Sequence, residues 1–384
     1  MTRVEKCRLD SIAKLWYKGQ PFKKNDIVDS GVWPCIHYGE LFSKYGAVIE
    51  KVSSKCDVAP KILSRKGDIL FPSSDVTPAG LARCSTIVQE GVIVGGDVIG
   101  LRPVSGLNPV YLSYAIRHQR QQLLQRVTGA LIKHISAKSL RSVLIPIHPI
   151  EIQNRFEKIV RLLNHVIEYR RTQLTRLDSL VKARFVEMFG DFVENPRNWR
   201  VEELGDYIVF MTSGPRGWSK YFSDAGEYFL TIRNVKGCNV FTENIQHVRC
   251  PNNAEADRAK VKEGDLLISI TADLGRTGVV SEQIANHGTY INQHLMCVRL
   301  MKEMLHPVYV AHLLESEGGR LQFSQKKQSA VKAGLNYESI RTLKIMVPPM
   351  HLQLAFVAFI TQVDKSKVVV QLSQKRIDVL HLLW

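Results

Sequence analysis

No two cysteines in this 384-residue sequence are spaced as C-x-x-C, and the seven present (7, 35, 56, 84, 238, 250 and 297) are odd in number. That pattern fits neither a disulfide framework nor a zinc ribbon. No apolar run reaches the roughly 18 residues of a membrane span, and the opening MTRVEKCRLDS lacks the apolar centre of a secretion signal. The expectation is a soluble chain from a reducing compartment, the cytoplasm. The signatures of nucleic-acid enzymes are also missing. There is no G-x-x-x-x-G-K-[ST], no F-x-G-x-G turn for a methyl donor, no G-x-S-x-G, and no metal-ligand spacing among the 12 His. Taken together these absences favour a binding module with no catalytic residues, no metal and no cofactor.

Acidic residues are short as well: 36 Asp and Glu against 52 Lys and Arg leave a net charge of +16. A chain this basic usually faces a polyanion, nucleic acid before membrane. Hydrophobic and charged fractions of 45% and 23% are ordinary for a globular protein, and the length predicts two or three domains.

Proline and glycine are absent from two long stretches, Glu151 to Met188 and Leu352 to Leu383, although the chain holds 15 and 25 of them. In the first, Ile152, Phe156, Ile159, Leu163, Val166, Ile167, Leu174, Leu177 and Val181 recur in steps of three and four, the mark of a helical stripe. A helix this long reads as coiled coil, membrane span or spacer, and Arg170, Arg171, Arg176, Lys182 and Arg184 exclude the membrane. At ~1.5 Å per residue it spans roughly 55 Å. In the second, Leu352, Leu354, Phe356, Val357, Phe359, Ile360 and Val363 cannot all face one neighbour. That predicts an antiparallel pair of rods with apolar surface left over for another subunit.

The two stretches belong to an internal duplication. Arg3-Val4-Glu5 matches Arg200-Val201-Glu202, and Lys66-Gly67-Asp68-Ile69-Leu70 matches Glu263-Gly264-Asp265-Leu266-Leu267, both at an offset of 197. Asn108-Pro109-Val110-Tyr111 matches His306-Pro307-Val308-Tyr309, Ile145-Pro146 matches Val347-Pro348, and Gln153 and Phe156 match Gln353 and Phe356. Each copy predicts a buried strand after the Gly-Asp turn, further strands such as Gly91–Leu101 and Leu295–Leu300, a helix begun by Pro109 or Pro307, and a last strand. Asn108-Pro-Val-Tyr resembles the N-P-P-Y of amino-methyltransferases, but its counterpart begins with His306, so it reads as a repeated helix start.

Two non-identical heads suit a target with two separated halves. Candidate DNA contacts in the first head are Lys18, Gln20, Lys23 and Lys24, then Ser73, Ser74, Asp75 and Thr77, then Lys133 and His134. In the second they are Ser213, Arg216, Trp218 and Lys220, then Arg233 and Asn234, then Thr271, Asp273, Arg276 and Thr277, then Gln325, Lys326, Lys327 and Lys332. Lysine and arginine on loops grip phosphates, while short polar side chains, Arg and Asn suit base edges. The same residue types also make ordinary polar turns and solvated faces. Ile152, Phe156, Ile159, Leu163, Leu352, Phe356, Phe359 and Ile360 are the candidate partner-binding residues on the rods.

With these motifs in view, the chain resembles, over nearly its whole length, the specificity subunit of type I restriction–modification systems. The carriers are the doubled R-V-E start, the G-D-[IL]-L units, the x-Pro-Val-Tyr helix starts, and [IV]-P before a long helix with Gln153 or Gln353. The resemblance implies an α/β (α+β) fold with two tandem target-recognition domains, each a twisted, mostly β head with helices. Two long conserved helices forming an antiparallel coiled coil would separate them under a pseudo-two-fold repeat. The implied bounds are residues 1–149 and 191–349 for the recognition domains, and 150–190 and 350–384 for the helices. It further implies a non-catalytic subunit that binds double-stranded DNA at a bipartite site and docks DNA methyltransferase (M) subunits, with a restriction/translocase (R) subunit joining. The rod length predicts half-sites ~10 bp apart, centre to centre. The abrupt end at Trp384 departs from the family's pattern. The rival readings are a solitary DNA methyltransferase or nuclease with unrecognised motifs, and a repressor-like regulator using the same heads.

Overall fold

The computed structural model describes residues 5–329 and 334–382, with side chains described for 5–326 and 334–372. Arg3, Val4, Lys332, Leu383 and Trp384 lie outside the described residues, as does the side chain of Lys327. The chain divides into two compact units, one reaching Tyr169 and taking in the end of the second long helix from Lys375, the other covering Arg170–Gln374.

In the first unit the opening strand Glu5–Arg8 pairs antiparallel with Leu144–Ile147, so the start of the chain closes onto the strand that precedes the long helix. The main sheet runs in the order Ala13–Lys18, Val98–Pro103, Ile69–Pro72, Ser85–Ile87, Val48–Ile49. All four residues of Ile69–Pro72 are buried, as expected of a central strand covered on both faces. The helix Pro109–His118 packs Leu112 and Ile116 against this sheet together with Leu140 and Ile145. The continuous strand expected over Gly91–Leu101 is instead two, Ile93–Val94 and Val98–Pro103. The cause is a turn at Gly95-Gly96-Asp97, closed by Val98 N–H donating to the Gly95 carbonyl at 3.0 Å.

The second unit repeats the plan. Val201–Glu203 pairs with Lys344–Met346, and the sheet core runs Ile208–Ser213, Leu295–Leu300, Leu266–Ser269, Thr277–Val279, the same order as in the first unit. It adds a four-stranded sheet, Phe222–Ser223, Gln246–Val248, Glu227–Leu230, Thr289–Ile291, packed on Trp218, Phe229 and Tyr290.

The repeated motifs are internal clasps. Gly67 and Gly264 turn with φ of +89° and +79°, a conformation glycine adopts without strain. The next residue, Asp68 or Asp265, is buried. Arg102 donates two hydrogen bonds of 2.8 Å to Asp68, and Arg299 donates bonds of 2.8 and 2.7 Å to Asp265. Each carboxylate also accepts the backbone N–H three residues back, from Arg65 at 3.0 Å and Lys262 at 2.7 Å. Each guanidinium lies over a ring, Tyr17 at 5.8 Å and Phe210 at 4.8 Å. Burial and the charge of Asp68 push the Tyr17 hydroxyl far up, so it stays a donor to that carboxylate at 2.8 Å.

A second clasp joins each head to its long helix. Gln153 is buried; its Oε1 accepts the Asn108 N–H at 2.9 Å and its Nε2 donates to the His148 carbonyl at 2.7 Å. Gln353 does the same with His306 at 2.9 Å and Pro348 at 2.8 Å. The start of the Pro109 or Pro307 helix is thereby fastened to the start of the long helix. Tyr111 and Tyr309 close the triangle by donating to the carbonyls of Pro146 and Met346.

The first long helix covers Ile150–Phe189 and the second Met350–Leu382. Within the second unit they run antiparallel. Phe185 and Phe189 meet Phe356, Arg184 lies over Phe359, and, one helix direction reversed, Asp178 pairs with Lys367 at 2.8 Å. Val181, Phe185 and Phe189 share one core with Phe356, Ile360 and Val363. His312 packs edge-on against Phe356, and burial holds its pKa down to about 4, so it sits there neutral.

Breaking one partner of a buried, doubly bonded ion pair strands the other charge, at a cost of about 3–5 kcal/mol. Asp68→Ala is therefore expected to lower stability by that amount, read as a fall in the urea midpoint, and Asp265→Ala to do the same in the second unit. A midpoint unchanged in either variant would show that the clasp is not what holds its sheet.

Candidate nucleic-acid interface

Loops leaving these sheets carry the candidate contacts, and the structure divides them into exposed and internal groups. In the first unit, Lys18 at the end of strand Ala13–Lys18 and Lys23 and Lys24 on the segment after it are exposed. Lys18 lines a groove of about 310 Å³ with Phe22, His37, Tyr38 and Asp97. Gln20 is internal: its Oε1 accepts the Lys61 N–H at 2.6 Å and its Nε2 donates to the Ala59 carbonyl at 2.9 Å. It pins the lysine loop to a neighbouring segment rather than facing outward.

Ser73, Ser74, Asp75 and Thr77 come together with Lys133 and His134. Ser74–Asp75 and Lys133–His134 form a two-stranded antiparallel ribbon, with Lys133 opposite Asp75 and His134 opposite Ser74. Ser74 Oγ and His134 Nδ1 are 3.1 Å apart, and Ser73 accepts the Ile135 N–H at 3.1 Å. Asp75 accepts the Val76 N–H at 2.7 Å and the Thr77 hydroxyl at 3.0 Å, while Thr77 caps the short helix Pro78–Leu81. Residues 60 positions apart thus share one ribbon, which the loop spacing alone did not reveal.

In the second unit, Arg216, Lys220 and Arg233 are exposed and Ser213 is half-buried. The backbone N–H of Ser213 donates to the Tyr337 hydroxyl at 3.0 Å. The loop after Leu266–Ser269 is drawn tight by Ser269, whose hydroxyl donates to the Asp273 carbonyl and accepts the Arg276 N–H at 2.9 Å. Asp273 and Arg276 form an ion pair at its surface. Thr271 Oγ1 lies 2.8 Å from His294 Nδ1, which brings in His294 and its neighbour Gln293, two residues absent from the sequence-derived set. Nothing in their sequence setting separates them from a strand-entry turn; only the fold delivers them to the loop.

Three further candidates are internal, which corrects the expectation that they face DNA. Trp218 is buried, its Nε1 donating to Glu255 at 3.0 Å and its ring stacked on Phe229. Asn234 spends its side chain on Thr231 N–H and the Phe241 carbonyl, closing the capping box of the 3-10 turn that Thr231 begins. The Thr277 hydroxyl donates to the Ala311 carbonyl at 3.1 Å beneath the sheet. Gln325 and Lys326 lie in the helix Glu317–Ser329, and Lys326 donates to the Thr342 hydroxyl at 2.6 Å. They are not equivalent to Lys133 and His134, which follow a shorter helix, Arg120–Leu124, and form a strand. The difference follows from Val127-Thr128-Gly129, β-branched residues and a glycine that end the helical run in the first unit.

On the long helices, Phe356 and Ile360 are buried between helices, Leu352 and Phe359 pack partly on the same core, and Phe156 is wedged 5.6 and 5.5 Å from Tyr111 and Tyr114. These apolar side chains are spent inside their own unit. Leu163 is half-buried, whereas Ile152 and Ile159 are exposed along with Leu162, Leu354, Val368 and Val369. The described residues contain no metal-ligand cluster and no helix long and apolar enough to cross a membrane.

The fold is that of a duplicated sheet-and-helix protein with exposed lysines and arginines on its loops. The family model described as type I restriction modification DNA specificity domain matches twice, over residues 1–178 and 196–380, and the chain belongs to that family. Among its relatives is a chain named for the type I restriction enzyme MjaX specificity subunit of Methanocaldococcus jannaschii, 22% identical over 83% of this chain and 77% of that one. The MjaVIII specificity subunit of the same organism is 22% identical over 64% of this chain and 61% of its own length. Among solved structures, the S subunit of a type I system from M. genitalium superposes with a TM-score of 0.58 over 99% of this chain and 95% of that one, at 14% identity. A chain from a study of assembly and conformational transition of the type I R-M system gives 0.60 over 99% and 96%, at 18% identity. The chain is accordingly a recognition subunit and not a catalyst.

The burial of Trp218 separates scaffold from surface. Trp218→Ala empties the core of the four-stranded sheet and is expected to cost about 3–5 kcal/mol, measurable as a lower unfolding midpoint. A loss of DNA affinity with stability intact would return Trp218 to the contact surface.

Proposed function

We propose that the chain reads a bipartite duplex site, one half with each recognition unit, and that its long helices fix the spacing and dock DNA methyltransferase subunits, with a restriction/translocase subunit joining the assembly in the cytoplasm. The segments 1–149 and 191–349 act as the readers, and 150–190 and 350–384 as the spacers. One observation carries this reading: the Asp–Arg and Gln clasps are built twice with matching partners, while the loops they support differ. Equal scaffolds with unequal loops suit two different half-sites. The net charge of +16 supports a polyanionic target, and a large share of the affinity comes from phosphate contacts.

Within that reading, Lys18, Lys23, Lys24, Arg216, Lys220 and Arg233 grip phosphates. Ser74, Asp75 and His134 in the first unit, and Thr271, Asp273 and Arg276 in the second, face base edges. The exposed Ile152, Ile159, Leu162, Leu354, Val368 and Val369 offer apolar surface of the kind that protein interfaces cover.

Mapping modified adenines across the genome by single-molecule sequencing tests the proposal directly. Two short specified blocks separated by an unspecified gap are expected; one uninterrupted motif would overturn it. At residue level, Arg276→Ala should relax preference at one position by about 1–3 kcal/mol, whereas Lys23→Ala should weaken all sequences about equally. Binding titrations on matched and mismatched duplexes distinguish the two, and the reverse pattern would exchange the assigned roles.

A further inference from the structure

The tip of the first unit's ribbon carries an apolar side chain that the rest of the fold does not use. Leu131 is 90% exposed, Val76 75% and Ile132 56%. The ribbon register places Lys133 opposite Asp75; continued by one residue it sets Ile132 opposite Val76. The three apolar groups therefore belong to one end of the ribbon, flanked by Lys133, His134 and Thr77.

This tip is stiff. Thr128 and His134 exchange backbone hydrogen bonds of 2.9 and 2.8 Å, closing a hairpin around residues 129–133. Lys133 Nζ folds back and donates to the carbonyls of Gly129 and Ala130, both at 2.8 Å. Gly129 has φ +100°, and a Cβ there would fall 2.1 Å from the Ile132 carbonyl oxygen, so only glycine permits the turn. Bracing of this kind supplies ordering before binding and so lowers the cost of inserting the tip. Val76, at the far edge, sits between Asp75 and Thr77, whose side chains are hydrogen-bonded to each other.

We infer that Leu131, backed by Ile132 and Val76, is a wedge that enters a groove and inserts against a base step of the first half-site, partly unstacking it. The occupant is duplex DNA, chosen because the prong is continuous with the polar ribbon of Ser74 and His134 and lies on a strongly basic chain. Apolar side chains inserted between base steps are an established means of kinking DNA, and a two-stranded ribbon fits a groove. Discrimination then follows from how easily a given step opens, in addition to its hydrogen-bonding edge. The inference rests on the bipartite reading of the previous section.

The test uses the full chain assembled with its methyltransferase subunits, without methyl donor, on duplexes carrying its own modification motif. The adenine analogue 2-aminopurine is placed at successive positions of the first half-site and its fluorescence reports unstacking. Wild-type complex is expected to raise the signal at a step other than the modified adenine. Leu131→Ser with Ile132→Ser is expected to abolish that rise and to weaken the specific site about tenfold, with non-specific binding little changed. Both positions are exposed, so the double variant is expected to keep the wild-type unfolding midpoint. An unstacking signal that persists in the variant overturns the wedge, as does an unchanged affinity. Loss of co-purifying methyltransferase from the variant also overturns it, and makes the tip a protein-docking surface. A wild-type complex that prefers no sequence would instead sink the bipartite reading itself, a result separable from all of these.

Discussion

A buried carboxylate with two guanidinium hydrogen bonds is the interaction on which each unit depends. Asp68 and Asp265 sit at the entrance to the central strand, where any residue other than glycine before them would strain the turn. Their partners Arg102 and Arg299 lie on the next strand in the sheet, so the ion pair fixes the register of Ile69–Pro72 against Val98–Pro103 and of Leu266–Ser269 against Leu295–Leu300. Desolvating such a pair is expensive, and apolar residues of the same size often give equal stability. What the pair adds is direction. Asp68 satisfies an arginine, a tyrosine and a backbone amide at once, an arrangement that admits only one packing of strand, turn and neighbouring strand. A loop emerging from that strand inherits a fixed origin, which a sequence reader requires.

The Gln clasps extend that fixity from sheet to long helix. A glutamine that accepts an N–H from a helix start and donates to a carbonyl before its own helix leaves no rotational freedom between the two. Asn108 adds bonds to Asn154 and Glu157, and Arg161 reaches back to Glu50 as well as Glu157, so the first turns of the first long helix are tied to the head by polar contacts along one side. In the second unit His306 takes the place of Asn108, and aromatic packing of Phe185, Phe189, Tyr309 and Phe356 bears more of the load. The duplication is therefore one of geometry, with the chemistry of the joint allowed to drift.

This explains which parts of the molecule were legible in the sequence. The anchors stood out because each meets a geometric demand made twice: the glycine of a positive-φ turn, the proline of a helix's first position, the glutamine of the clasp. The paired helices followed from the absence of breakers. Burial on those helices was less legible. The apolar stripe contains Ile152 and Ile159, which are exposed, whereas Gln153 and Val160 beside them are turned inward, Gln153 because its amide meets the N–H of Asn108 and the carbonyl of His148. Among the loops, residue type failed to separate contact from scaffold. Gln20, Trp218, Asn234 and Thr277 have the side chains of DNA readers and spend them on carbonyls, a carboxylate and backbone amides within their own unit. Polar groups near a sheet edge are needed both to bind and to close turns, and only tertiary partners tell the two apart.

That double use of polar residues bears on how such a scaffold can change its target. Where a candidate loop residue also caps a turn, as Thr77 does for Pro78–Leu81, replacing it alters the backbone that presents its neighbours as well as the side chain itself. Arg216, Lys220 and Arg233, exposed on their loops, can be exchanged with far less effect on the fold. Under the proposed reading, the side chains of Ser74, Asp75 and His134 also hold the ribbon of the first unit together, and Ser269 does the same for the tight loop of the second. A new half-site is more readily reached by replacing a whole loop, closing bonds included, than by changing its residues singly. The clasps beneath make that possible, because Asp68, Asp265, Gln153 and Gln353 hold their strands and helices without calling on any atom of the exposed tips.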